Sequence, residues 1–294
     1  MNMNDYIELI NEKLDEFIEI EYPENLFKSM KYTVMLPGKR LRPVMCLEAC
    51  RMFGGDIEDA IPTACAIEIL HSQTLIYDDL PCMDNDDYRR GKPSNHKVFG
   101  EAVAVLAGDA LLTFAPQIIT KHSQNLSPST IIRILNEYFN YGGARGVIAG
   151  QIVDLESEGK NFENKEEKEQ ILEYLHSHKT SDLFQLATRT GAIIGGADDE
   201  QLENITAFAK KFGLAFQITD DILDEVSTFE KMGKTLGKDK AEGKLTYVTL
   251  YGLDGAKCKL SCLTQECCDI MNKLNIKSEI YKEIINSLLK GAGI

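Results

Sequence analysis

Asp78-Asp79-Leu80-Pro81-Cys82-Met83-Asp84-Asn85-Asp86-Asp87-Tyr88-Arg89-Arg90 places five carboxylates within ten positions and follows them at once with two guanidinium groups. An apolar run at helical spacing leads into it, from Ile61 through Ile67 and Leu70 to Ile76. Pro81 breaks that helix, so Asp84 must return to the acids on irregular backbone. A solvated acidic turn needs no such greasy lead-in. A site that holds a divalent cation against a phosphorylated, hydrophobic molecule does. Mg²⁺ takes oxygen ligands, keeps several waters, and binds through one or two carboxylates plus substrate phosphates. Arg89 and Arg90 offer forked donors for phosphate oxygens.

A second acidic cluster, Asp220-Asp221-Ile222-Leu223-Asp224, ends another apolar helical run, Phe208 to Ile218. Asp220 and Asp224 are four apart and share one helix face. Two such clusters, each closing an apolar helix, read as facing walls of one cavity.

Basic segments complete the pattern. Gly38-Lys39-Arg40-Leu41-Arg42-Pro43 sets three cations within four residues ahead of a helix, in a chain of net charge −14. It is either an anion-binding turn or a solvated loop that balances local acid. His71 lies two helical turns before Asp78 on the same face, as a core residue or a phosphate ligand. Gly233-Lys234-Thr235-Leu236-Gly237-Lys238-Asp239 ends like a nucleotide-binding loop, but Thr228 stands where the first glycine belongs. His176 and His178 are two apart, so a helix points them in different directions, a poor metal pair.

The chain has 294 residues, 44% of them hydrophobic, enough for a substantial core. Its acidity argues against nucleic acid or an anionic membrane as partner. Eight cysteines without a C-x-x-C pair suggest reduced thiols and a cytoplasmic location. No uninterrupted apolar run reaches the length of a membrane span. Strand signals are scarce, and helical periodicity predicts segments over 4–20, 24–35, 44–53, 56–80, 101–121, 128–155, 170–191 and 198–228, with three more after Leu245. Residues 159–169 read as a charged surface loop. The expected fold is all-α: one domain over 1–294, a large helical bundle around a central cavity.

With these motifs in place, the chain resembles the all-trans short-chain prenyl diphosphate synthases, the farnesyl and geranylgeranyl diphosphate synthases, from Gly38 to Lys244. The acids at Asp78–Asp84 and Asp220–Asp224 look like that family's two aspartate-rich motifs. The resemblance implies the isoprenoid-synthase fold, a homodimer, and three Mg²⁺ per active site. Asp78, Asp84 and Asp220 would bind metal, supported by Asp79, Asp221 and Asp224. Arg89, Lys179 and Lys234 would contact the allylic diphosphate, with Lys244 nearby. Gly38, Lys39, Arg42, His71 and Arg90 would hold isopentenyl diphosphate, and Thr180 and Gln217 would line the reacting carbons. The implied reaction is a Mg²⁺-dependent head-to-tail condensation of isopentenyl diphosphate with dimethylallyl, geranyl or farnesyl diphosphate. Many farnesyl synthases of this type carry an aromatic floor residue five positions before the first acid; here it is Gln73, beside Thr74, so a C20 product competes with C15. Ser181 and Val248 stand where glycine and proline are usual. A class I terpene cyclase and a non-catalytic partner subunit are the alternatives.

Overall fold

The computed structural model describes residues 1–160, 162–226 and 244–294; Lys234 and its glycine-rich loop lie outside them. The described helices are α1 (Met3–Phe17), α2 (Glu24–Val34), α3 (Leu41–Met52), α4 (Ile57–Asp78), α5 (Asn95–Phe99), α6 (Glu101–His122), α7 (Pro128–Gly142), α8 (Val147–Ser157), α9 (Lys165–Leu175), α10 (Asp182–Ile194), α11 (Asp199–Val226), α12 (Tyr247–Lys273) and α13 (Glu279–Gly291). A π-helical turn, His176–Ser181, joins α9 to α10.

Burial pattern decides where each helix sits. α1 buries only Tyr6, Ile10 and Leu14, one stripe at a spacing of four, and α7 buries Ile134, Tyr138 and Gly142 in the same way. α4 is apolar nearly all round and buries Ala60, Ile61, Ala64, Cys65, Ile67, Ile69 and Leu70, as a central helix must. It packs against α3, α6 and α10, while α11 packs against α10, α12 and the π turn. Asp56 caps the start of α4 by accepting from the Glu58 N–H.

Beyond α4 the chain makes a minimal antiparallel hairpin, Tyr88–Arg89 with Lys92–Pro93, in which Arg89 pairs with Lys92. The turn residues Arg90 and Gly91 both have positive φ, 53° and 76°, as a two-residue hairpin turn of this hand requires.

Several expected boundaries shift for local reasons. The segment over 128–155 is two helices, because Gly142-Gly143-Ala144-Arg145-Gly146 intervenes and a Cβ at Gly146 would run into the Tyr141 carbonyl. α9 begins inside the expected loop, where Asn164 accepts the Glu167 N–H at 2.9 Å and caps the charged run. After Leu245, α12 breaks at Gly252 (φ 73°, ψ 166°). Among the described helices, α6 is long and apolar enough to cross a membrane by length and composition, with mean hydropathy 1.7. An uninterrupted apolar run misses it because Asp109 stands in its middle.

Close packing ties α8 to the π turn. A Cβ at Gly150 would collide with the backbone nitrogen of Lys179 and lie 2.7 Å from the His178 carbonyl carbon. Gly150→Ala is therefore expected to destabilise the protein by about 1–3 kcal/mol in urea unfolding, despite alanine's better helix propensity.

Candidate active site

Asp78 is the last residue of α4, and the chain folds straight back onto it: the Asp84 N–H donates to the Asp78 carbonyl at 2.9 Å, and Asn85 (φ 50°) bonds to the Leu80 carbonyl. This brings Asp84 beside Asp78. Asp79 turns the other way. It is 3% exposed and accepts from Arg89, whose Nε lies 2.9 Å from its Oδ1; Asp86 is 3.5 Å from the same guanidinium. Burial works against the Arg89 charge, but Asp79, Asp78 and Asp86 more than offset it and hold the guanidinium above its ordinary value. Burial also raises the Asp78 carboxyl; Lys179 opposes this and Asp84 adds to it.

α11 supplies the opposite wall. Gln217, Asp220, Asp221 and Asp224 lie on its inward side, and with Asp78, Asp84, Asp154, Lys179 and Lys244 they line a polar mouth of about 200 Å³. Asp221 is a brace: it accepts the Tyr247 N–H at 2.8 Å and the Gln217 amide at 2.9 Å. The Gln217 carbonyl oxygen in turn accepts the Thr180 hydroxyl at 2.6 Å. That chain of bonds fixes which end of the Gln217 amide faces Thr180.

Lys179 and Thr180 project from the π turn, whose widened winding lets neighbouring residues face inward together. Lys179 pairs with Asp154 of α8. Burial lowers its ammonium, but Asp78, Asp154 and Asp84 outweigh burial and keep it charged. Lys244 reaches Asp84 at 3.3 Å and Glu158 at 3.5 Å. His176 and His178 do point apart. His176 is buried, stacked on Tyr247 at 5.5 Å and 4.0 Å from Asp221, whereas His178 Nδ1 donates to the Asp182 carboxylate at 2.8 Å.

Below the mouth opens a chamber of about 610 Å³, sharing Asp78, Arg89, Lys179, Gln217 and Asp220 with it. Leu75, Leu112, Ile148, Ile152, Leu155, Leu183 and Phe216 make its walls apolar, and Gln73 and Thr74 line it too. On its flank the basic segment divides its three cations. Arg42 lies over the Phe184 ring at 4.4 Å, with its NH1 3.4 Å from His71 Nε2. Among the described residues, Arg42 Nε and His71 Nδ1 are buried and find no hydrogen-bond partner. Burial lowers the Arg42 guanidinium to about 10 and, with the nearby arginines, keeps His71 neutral. Arg40 turns inward instead, 3% exposed, to Glu68 at 2.6 Å and the Val34 and Leu36 carbonyls. Arg90 packs on Gly38, where an added Cβ would lie 2.7 Å from its guanidinium. Lys39 is exposed and lines neither the mouth nor the chamber.

Asp154 and Glu158 were not among the expected site residues. Asp154 shares a helix face with Gln151, but only the fold shows that this face meets Lys179. Among the described residues no three His, Cys, Asp or Glu side chains form a metal cage by themselves. Hard oxygen donors on two walls, with room between them, nevertheless fit Mg²⁺ that completes its shell with phosphate and water.

The sequence model of the polyprenyl synthetase family matches residues 23–286. The chain belongs to the polyprenyl synthetase family. Among its relatives in that family, geranylgeranyl pyrophosphate synthase 7 of Arabidopsis thaliana, a chloroplastic protein, is 47% identical over 248 residues, 84% of this chain and 71% of that one. The farnesyl diphosphate synthase of Geobacillus stearothermophilus is 46% identical over 261 residues, 88% of this chain and 86% of that one. A geranyltransferase from Helicobacter pylori, crystallised with magnesium and isoprenyl diphosphate, superposes with a TM-score of 0.85 at 31% identity, covering 98% of this chain and 95% of that one. The helical architecture is thus the family's own.

Burial depresses His176 from 6.5 to about 3. The unfolded chain binds that proton near 6.5 and the folded protein does not, so this contribution to stability is complete above 6.5 and is lost as pH falls toward 3. The melting temperature of His176→Phe should therefore decline less steeply than that of the wild type across this acid range.

Proposed function

We propose that this protein is a short-chain all-trans prenyl diphosphate synthase that joins isopentenyl diphosphate head-to-tail to an allylic diphosphate, ending at farnesyl (C15) or geranylgeranyl (C20) diphosphate. The observation that carries the reading is the junction of a carboxylate-walled mouth with an apolar chamber, flanked by Arg42 and His71, each with one buried nitrogen lacking a partner among the described residues. The relatives named for C20 and C15 products are about equally similar to the chain, so overall likeness does not choose between them.

The allylic diphosphate sits in the mouth against Lys179, Arg89 and Lys244, with Lys234 from outside the described residues. Asp78, Asp84 and Asp220 would hold Mg²⁺, three ions per site, with Asp79, Asp221 and Asp224 in support. Bound there, Mg²⁺ neutralises charge on the departing diphosphate. Lys179 and Arg89 aim fixed positive charge at the same oxygens. As the allylic C–O bond breaks, Thr180 and Gln217 present oxygens toward the electron-poor carbon, and the apolar walls exclude water that would capture it. Isopentenyl diphosphate is held by Gly38, Lys39, Arg42, His71 and Arg90. Its alkene forms the new C–C bond and then loses a proton, which the diphosphate can accept. A cyclase needs no second diphosphate pocket, and a non-catalytic subunit needs neither acidic wall, so the Arg42–His71–Arg90 grouping and the retained acids favour the synthase.

The same proposal includes a single domain over 1–294, a cytoplasmic location and a homodimer. Support for the dimer is an exposed apolar face on neighbouring helices: Leu106 of α6 and Phe139 of α7 are each 59% exposed, with Ile148 and Ile152 of α8 beside them. Leu106→Glu and Phe139→Glu should shift the protein to a monomer in light scattering; an unchanged mass would remove this face as the interface.

Product analysis tests the activity. Protein with Mg²⁺, labelled isopentenyl diphosphate and dimethylallyl, geranyl or farnesyl diphosphate should give elongated products resolved by chain length. Asp78→Asn and Asp220→Asn should each lower kcat/KM by about 10²–10³. Failure of wild-type protein to elongate any starter would sink the synthase reading.

A further inference from the structure

Tyr77, the residue before Asp78, is wedged against α6: a Cβ at Gly108 would overlap its ring. Its hydroxyl donates to the Asp109 carboxylate and lies 3.4 Å from the Val105 carbonyl. Gln73 lies one turn earlier on α4. Gln73, Tyr77 and Asp109 all line the chamber, whose neighbouring walls are Leu112, Ile148 and Ile152. At this level the chamber wall presents a carboxylate that accepts from a phenol, and Asp109 is exposed.

We propose that Tyr77 and Asp109 form a polar stop that sets product length. The inference rests on the proposed synthase activity. Hydrocarbon gains when it slides along Leu112 and Ile148, because it leaves water. A tail that advances onto Asp109 must strip water from an ionised carboxylate and offers no hydrogen bond in return. Elongation therefore slows at the length whose end reaches this pair. Gln73 extends the polar patch rather than leaving the floor open. The stop works by hydration and charge, so it can be removed without changing the space available.

The test is the product distribution of the full chain with Mg²⁺, isopentenyl diphosphate and the three allylic starters. Each variant is read as the ratio of the next longer homologue to the wild-type end product, a ratio independent of overall rate. Asp109→Leu should raise that ratio by about tenfold or more, because the tail then meets apolar surface. Asp109→Asn, isosteric and uncharged, should raise it less, and it keeps the test sound should Asp109→Leu fail to fold. Tyr77→Phe, which frees the carboxylate from its clamp, should also move it. An unmoved ratio in folded Asp109→Asn and Tyr77→Phe, with wild-type protein elongating normally, overturns this inference alone. Wild-type protein that elongates no starter overturns the synthase reading and this inference with it.

Discussion

Negative charge concentrated at the edge of an apolar chamber is the constraint on which the rest depends. Asp78, Asp84, Asp154, Asp220 and Asp224 face one small mouth. Like charges so placed repel, and each half-buried carboxylate loses hydration. The fold answers by bringing cations in from separate elements: Lys179 from the π turn, Lys244 from the lead-in to α12, and Arg89 from the hairpin after α4. Each is already paired to an acid, Lys179 to Asp154 and Lys244 to Asp84, so an arriving diphosphate competes for charge that is held in place.

The division of labour along α4 follows from its composition. Its apolar body sits at the centre of the helix packing, and its C-terminal turn carries Asp78 to the mouth. The acids therefore stand where protein meets water, and the chamber beneath them stays apolar. α11 repeats the design from the other side, with Ile218 and Ile222 fully buried while Asp220 and Asp224 face the mouth. Two helices built alike and brought together at their acidic ends give a polar grip above a greasy reservoir. Chemistry that cleaves a diphosphate and protects a water-sensitive carbon needs that arrangement.

Much of this was legible from residue order because the signals are local and repeated. Helical periodicity revealed α1, α2, α4, α6 and α11, since an amphipathic or wholly buried helix must show it. The acidic clusters were legible because carboxylates clustered at the end of an apolar helix have few other uses. Less legible were features set by partners distant in sequence. Arg40 and Arg42 look equivalent in Gly38–Pro43, yet Glu68 claims the first and Phe184 with His71 receives the second. Asp154 lies in an ordinary-looking helix, and Asp109 in one apolar enough to span a membrane. The break at Gly143–Gly146 depends on backbone approach and that at Gly252 on a positive φ, which periodicity averages away.

The chain's order of residues by itself determined the helical class, the two acidic helix ends and the presence of spare cations, because each follows from spacing and side-chain chemistry along a single segment. Tertiary structure decided what each acid faces. Asp79 and Asp221 differ from Asp78 and Asp220 by one position, a step of about 100° around the helix; Asp79 meets Arg89, and Asp221 lines the mouth while accepting from the start of α12. It also decided that Tyr77 and Asp109 meet in the chamber wall. Contacts between distant segments are set by how helices pack, and packing is a property of surfaces that no single stretch of sequence contains.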